Sequence, residues 1–268
     1  MSSPNGPDAL RGISLQFQAG DQLAVIGPSG AGKTSLLQVL ACALRPAGGE
    51  LLIDGQKPWQ FTTTRLQQLR GKIFLAPQVP PLPSRQRVVT AVLAGRLPSW
   101  TLLASLKSLV YPSDIASAHH ALSCFGLEDK LFERVDRLSG GERQRVGLAR
   151  ALVAPAKVWF VDEPLSSLDP SRASQAIEQL TQIAKARGTT LVASLHQVDT
   201  ALASFSRVIG LRRGSIMFDL PASKVTHLHL SQLYEQTPSQ LFAGDQAVEH
   251  EASDSESKTV RPLVFNCR

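Results

Sequence analysis

The sequence predicts an α/β protein: a mainly parallel sheet with an antiparallel β part and an inserted α-helical subdomain. Three observations carry that expectation. The runs QLAVIG (22–27), KIFLA (72–76) and KVWFVDE (157–163) are nearly continuous apolar stretches, as parallel strands covered on both faces require. Helical patterns separate these runs, and strand–helix alternation builds a parallel sheet. From about residue 84 to 153 the strand signal stops and only helical apolar spacing remains.

The elements follow in order. ISLQF (13–17) alternates apolar and polar residues and reads as a half-buried strand. QLAVIG runs into a glycine loop and then a helix, KTSLLQVLACAL (33–44). GGELLIDGQ (48–56) reads as a strand closed by an Asp-Gly turn. TTRLQQLR (63–70) is helical, and KIFLA is a strand. PQVPPLPSR (77–85) holds four prolines, which deny it regular structure. VVTAVLAGRL, LLASLKSLV, DIASAHHALSCFG and GERQRVGLARALV then supply the helices of the insertion. KVWFVDE returns to a buried strand ending in two acids. A helix over 170–187 and the strand TTLVASLH (189–196) follow. RVIGLRRGSIMFDL (207–220) reads as a hairpin turning at Arg213–Gly214.

The expected organisation is one domain over 1–242, with its core in 1–83 and 154–242 and the helical subdomain in 84–153. Residues 243–268 are Ser-rich, with five acids against three bases, and are expected to be a disordered tail. The hydrophobic fraction of 43% and charged fraction of 19% place the chain among ordinary globular proteins. No apolar run reaches the roughly 18–20 residues that span a bilayer, and MSSPNGPDALRG has no secretory pattern. Cys42, Cys124 and Cys267 show neither metal-ligand nor disulfide spacing, so a reducing compartment is expected. The net charge of +6 suits nucleotide phosphates, anionic lipid, nucleic acid or a solvated surface. No basic run interleaved with aromatics favours nucleic acid.

GPSGAGKT (27–34) matches the phosphate-binding pattern G-x-x-x-x-G-K-[ST], placed between a strand and a helix as its mechanism demands. Gly27, Pro28, Ser29, Gly30, Ala31 and Gly32 form a loop whose backbone N–H groups can face phosphate oxygens. The helix dipole behind Lys33, Thr34 and Ser35 adds positive potential. Lys33 is the candidate for the β- and γ-phosphates, and Thr34 for Mg²⁺. Asp162 emerges at the C-terminal end of its strand, where open α/β sheets place ligands. It is the candidate Mg²⁺ carboxylate, with Glu163 beside it as general base for the attacking water. No N-K-x-D pattern for guanine is present, so ATP is the expected nucleotide.

A second glycine motif, LSGGERQRV (138–146), completes a resemblance to the ATP-binding subunits of ABC transporters, over about residues 9–235. Glu142 stands where Gln is commoner. The resemblance implies a P-loop NTPase with a RecA-like core, and further roles. Ser139, Gly140 and Gly141 contact the phosphate of a partner subunit. Gln78 senses Mg²⁺ and water and couples to the membrane partner. SSLD (166–169) resembles the D-loop. His196 matches the switch histidine that reaches the γ-phosphate. It also implies a head-to-tail homodimer with ATP between the loop of one subunit and the signature of the other.

VLAGRL (92–97), FGLEDK (125–130), SLHQVDTAL (194–202) and the pair Leu233–Tyr234 resemble phosphonate importers in particular. That implies a separate integral-membrane permease, a periplasmic or extracellular phosphonate-binding protein, and a place on the cytoplasmic face of the membrane. Another importer, or a soluble ABC subunit of a carbon–phosphorus lyase complex, stays open as an alternative. Two departures stand out. No Phe, Tyr or Trp precedes Phe17, where the family carries an aromatic against adenine. The segment after Ala76 is unusually rich in proline, which either restrains its motion or shapes a groove. Trp159 is expected in the core. His227 and His229 are expected in a solvated segment.

Overall fold

The computed structural model describes residues 9–110, 114–234 and 262–266. Its centre is a six-stranded sheet in the order β3-β4-β5-β2-β6-β7. The strands are β2 (Gln22–Ile26), β3 (Ile73–Ala76), β4 (Val158–Asp162), β5 (Thr190–Leu195), β6 (Arg207–Arg212) and β7 (Ser215–Pro221). All neighbours are parallel except β6 and β7, which form the expected antiparallel hairpin. Arg213 and Gly214 both have positive φ, 48° and 81°, the two-residue turn whose twist matches its strands.

Strand alternation sorts the core into two layers. Ala24 and Ile26 of β2 face a cluster shared with β4, β5 and the helices α6 (Gly140–Val153), α7 (Pro170–Ala186), α8 (Val198–Ser204) and α9 (His227–Tyr234). Leu23 and Val25 face the opposite side, against α1 (Lys33–Leu40) and β1 (Ser14–Gln18). Trp159 is fully buried in the first layer, as its strand position predicts. Trp59 and Trp100, which the sequence does not place, pack at the edges of the second and first layers respectively.

The insertion holds α3 (Val88–Leu93), α4 (Leu102–Val110), α5 (Ile115–Ser123) and α6, with short 3-10 turns between them. α3 and α5 both pack on α6, and all six residues of α3 are buried. α2 (Thr63–Arg70) lies where its pattern predicts. α1 is shorter than expected. It stops at Leu40 because Cys42 turns left-handed (φ 56°), and Arg70 clamps the Cys42 carbonyl through two N–H donors at 2.7 and 3.0 Å.

One expectation is corrected. Residues 48–56 do not form a strand. The Asp54–Gly55 turn is present, with φ of 51° and 71°, but it closes only a single bridge between Ile53 and Gln56. Leu51 and Ile53 are buried against α1 without a neighbouring strand to extend the ladder. Within the tail, Pro262–Asn266 forms strand β8, antiparallel to β1 with Ser14 opposite Asn266 and Gln18 opposite Pro262. PLVFN is the apolar run inside an otherwise polar segment, and β1 offers it an edge. The rest of the tail expectation lies outside the described residues.

Candidate active site

The glycine loop leaves the C-terminal end of β2 at the middle of the sheet. Gly27, Gly30 and Gly32 all have positive φ, 152°, 76° and 103°, which side chains resist. A Cβ on Gly27 would lie 2.0 Å from the Leu211 carbonyl oxygen, and one on Gly32 would lie 2.5 Å from that of Ala9. Neighbouring backbone holds the loop from outside: the Gly214 N–H donates to Ala31 O, and the Arg11 N–H to Gly214 O. The hairpin turn and residues 9–11 therefore buttress the loop. Ser29, Gly30 and Thr34 face solvent, while Ala31 and Lys33 are buried. Phe17, the first aromatic of the sequence, is only 2% exposed in the core and cannot stack on a base.

Lys33, 4% exposed, turns its ammonium back over the loop. It donates to Gly27 O at 2.8 Å and Pro28 O at 3.3 Å, and lies 3.9 Å from Glu163 Oε1. Burial pulls its pKa below the usual lysine value, against the opposing pull of the Glu163 and Asp162 carboxylates.

Glu163 is where the remaining candidates meet. Gln78 Nε2 donates to its Oε2 at 2.7 Å, and His196 Nε2 lies 2.6 Å from its Oε1. Three residues separated by up to 163 positions in sequence thus close on the carboxylate of a fourth. Each arrives from the C-terminal end of a neighbouring strand: Lys33 after β2, Gln78 after β3, Glu163 after β4 and His196 after β5. Glu163 itself is left-handed, with φ 44°, a conformation that costs a side-chain-bearing residue about 1–2 kcal/mol. Its backbone is held from both sides. Its N–H is directed at Ser194 Oγ (2.9 Å) and Ser194 O (3.2 Å), and its carbonyl accepts from Gln144 Nε2 at 3.3 Å.

Asp162 lies next to this cluster, 4% exposed, and accepts a 2.6 Å hydrogen bond from the Ser194 hydroxyl. Ser139, Gly140 and Gly141 stand apart. Ser139 caps α6, accepting the Glu142 N–H while the Glu142 carboxylate accepts the Ser139 N–H. A Glu at 142 is thus at home as the reciprocal partner of a capping box. Gly140 and Gly141 pack on Ser167 and Leu168 of the SSLD segment, and a Cβ on Gly141 would meet Ser167 O at 2.8 Å.

Two contributors escape the sequence reading: Ser194 and Gln144, both buried. A serine near the end of a strand whose other residues are apolar apart from Thr190, and a glutamine on the buried face of α6, were the available signals.

The loop, its lysine and the acid pair form the donor and acceptor set of a nucleotide triphosphatase. The ABC transporter family profile matches residues 10–166, more than half of the chain. The chain belongs to the ABC transporter family. Its relatives agree along their length. It is 58% identical over 267 residues to the phosphonates import ATP-binding protein PhnC 2 of Albidiferax ferrireducens, covering 100% of this chain and 95% of that one. With the phosphonates import ATP-binding protein PhnC of Polaromonas sp. it shares 59% over 260 residues, 97% and 92% of the two chains. A dimeric ATP-binding cassette in a post-hydrolysis state, bound to ADP and phosphate, superposes with TM-score 0.67 at 25% identity over 80% of this chain and 90% of that one. The cassette cbiO1 of Clostridium perfringens gives 0.69 at 25% identity over 84% and 86%. The protein is an ABC ATPase. Among the described residues of this cassette, no helix is long and apolar enough to cross a membrane.

Proposed function

We propose that this cassette is the ATPase subunit of a phosphonate importer, working as a homodimer on the cytoplasmic face of the membrane beneath a separate permease. The observation that carries the ATPase chemistry is the convergence of Lys33, Gln78 and His196 on Glu163. The import role and its substrate class rest on the relatives named above. A phosphonate-binding protein would select the substrate, which is the phosphonate or a phosphite-like oxyanion.

In this reading Gly27–Ser35 binds the phosphates of ATP through backbone N–H groups and the Lys33 ammonium. The residues suit Mg²⁺ as well. Thr34 offers an exposed hydroxyl, Asp162 a carboxylate with one oxygen already hydrogen-bonded, and Gln78 an amide that meets the neighbouring Glu163. Bound Mg²⁺ supplies charge neutralisation of the phosphates. Glu163 accepts the proton of the attacking water. His196 and Gln78 orient the Glu163 carboxylate and contact the γ-phosphate and the water. Ser139, Gly140 and Gly141 serve the nucleotide of a second copy, the role that the resemblance of their motif implies. Solvent exposure of Ser139 and Gly140 leaves that surface ready for it.

The permease would dock on a groove of about 260 Å³ between the β3 edge and the helical subdomain. Pro77, Pro80 and Pro81 wall it, and Gln144 and Asp162 reach its floor. The proline-rich segment therefore shapes a surface. Gly147 lets Pro80 press on α6, because a Cβ there would lie 2.8 Å from the proline ring.

Affinity capture of the chain from detergent-solubilised membranes of cells grown under phosphate limitation tests the reading. Recovery of a multi-span permease with a phosphonate-binding protein supports it. Recovery with another permease reassigns the substrate. Recovery only in the soluble fraction with phosphonate-cleaving enzymes keeps the ATPase and overturns the import role.

A further inference from the structure

We infer that Ser194 is a positioning residue of the ATPase, joining the Asp162 carboxylate and the Glu163 backbone into one rigid unit. The inference rests on the roles proposed above for those two acids and assigns a third residue to set their geometry.

Ser194 lies on β5 directly opposite Asp162 in the β4–β5 ladder. It is fully buried, in a strand whose other residues are apolar apart from Thr190. A buried hydroxyl needs partners, and this one uses both its capacities. It donates to Asp162 Oδ1 at 2.6 Å and is met by the Glu163 N–H at 2.9 Å. The same N–H reaches the Ser194 carbonyl at 3.2 Å. One residue therefore grips the last position of β4 through its side chain and the next position through both side chain and backbone.

Two consequences follow from this geometry. The Asp162 carboxylate has its rotation stopped, with Oδ1 committed to Ser194 and Oδ2 left for the metal site. Hydrogen bonds to a charged acceptor are the stronger kind, so this orientation is well defined. Glu163, meanwhile, enters its left-handed conformation (φ 44°) at the point where Ser194 holds its N–H. That turn aims its side chain at Lys33, Gln78 and His196 instead of continuing the strand. Neither acid is held this way by any other side-chain hydroxyl in the described residues. Ser194 would touch neither nucleotide nor water, and acts through the two acids.

The distinguishing measurement is the gain in ATP affinity that Mg²⁺ provides. Trinitrophenyl-ATP binding to the full chain is titrated with and without Mg²⁺, beside steady-state ATPase kinetics, for Ser194→Ala and for Ser194→Cys. Cys puts a larger atom and a weaker donor at the same position. Expected for Ser194→Ala are an unchanged Mg²⁺-free affinity, a Mg²⁺ gain reduced about tenfold, and kcat reduced about tenfold or more, as loss of a hydrogen bond to a charged group allows. Ser194→Cys should fall between Ala and the parent. An unchanged gain and kcat overturn the inference. So does an equal loss of affinity with and without Mg²⁺, which marks a merely structural residue. If Ser194→Ala does not fold, the Cys variant decides by the same criteria. Asp162→Asn is the control: if it keeps the full Mg²⁺ gain, the metal role of Asp162 fails, separately from any result at Ser194.

Discussion

His196 Nε2 lies 2.6 Å from Glu163 Oε1, so the histidine after β5 and the acid after β4 form a direct side-chain pair across adjacent strands. Replacing His196 by Ala removes a contact that aims the carboxylate while the phosphate loop keeps its own support from Gly214 and Arg11. The expected result is a fall in kcat of about 10²-fold, the lower range for a positioned proton-transfer group. KM for ATP should change much less. Steady-state ATPase assays over a range of ATP concentrations check the split.

Glu163→Gln keeps the shape of the side chain and the donors around it but removes the base proposed above. Turnover is expected to fall by at least about 10²-fold, with ATP binding retained. Because ATP then persists between two copies, a dimer should accumulate with ATP and Mg²⁺. Size-exclusion chromatography reads this directly, and a variant that runs only as monomer would refute the head-to-tail arrangement.

Gly27→Ala should abolish nucleotide binding and destabilise the fold. Its Cβ would collide with the Leu211 carbonyl oxygen at 2.0 Å, on a backbone already at φ 152°. Neither β2 nor β6 can retreat without opening the sheet centre. A loss of at least about 2 kcal/mol is expected, read by urea unfolding, with no detectable trinitrophenyl-ATP signal.

Lys33 gives a pH signature. Burial lowers its pKa below the usual lysine value of 10.5, so the folded chain gives up this proton more readily than the unfolded one. Across that window the unfolded chain binds more protons, and this group makes the fold more stable as pH rises. The phosphate-binding role proposed for Lys33 needs the charge and runs the opposite way. ATP affinity is therefore expected to decline on the alkaline side at a lower pH than a surface lysine would dictate, while the nucleotide-free fold gains stability. Paired binding and unfolding titrations, with Lys33→Met as the non-titrating reference, separate the two trends.

Cys42 reports on the fold with the opposite sign. Burial pushes its thiol up from 9.0 to about 11. The stability this contributes is full below 9.0 and fades as pH rises through about 11. At pH 8 the native chain should leave Cys42 unalkylated while the partly exposed Cys124 reacts. Mass spectrometry after iodoacetamide treatment checks this, and urea should release Cys42.

The sequence by itself determined the α/β class, the order of the sheet-forming runs, the helical insertion and the nucleotide motifs. Each rests on short-range rules: buried strands read as apolar runs, loops that approach phosphate need glycine, and an acid pair marks the end of its strand. The tertiary structure decided what those rules cannot reach. QLAVIG, KVWFVDE and TTLVASLH become neighbours only through crossovers, and that brings Lys33, Glu163 and His196 together. Ser194 was illegible because a hydroxyl in a strand acquires its meaning from the residue opposite it, and register is set by the whole sheet. GELLID has strand composition yet lacks an adjacent edge, whereas PLVFN finds one at β1. Pairing needs two partners in place, and only the fold supplies the second.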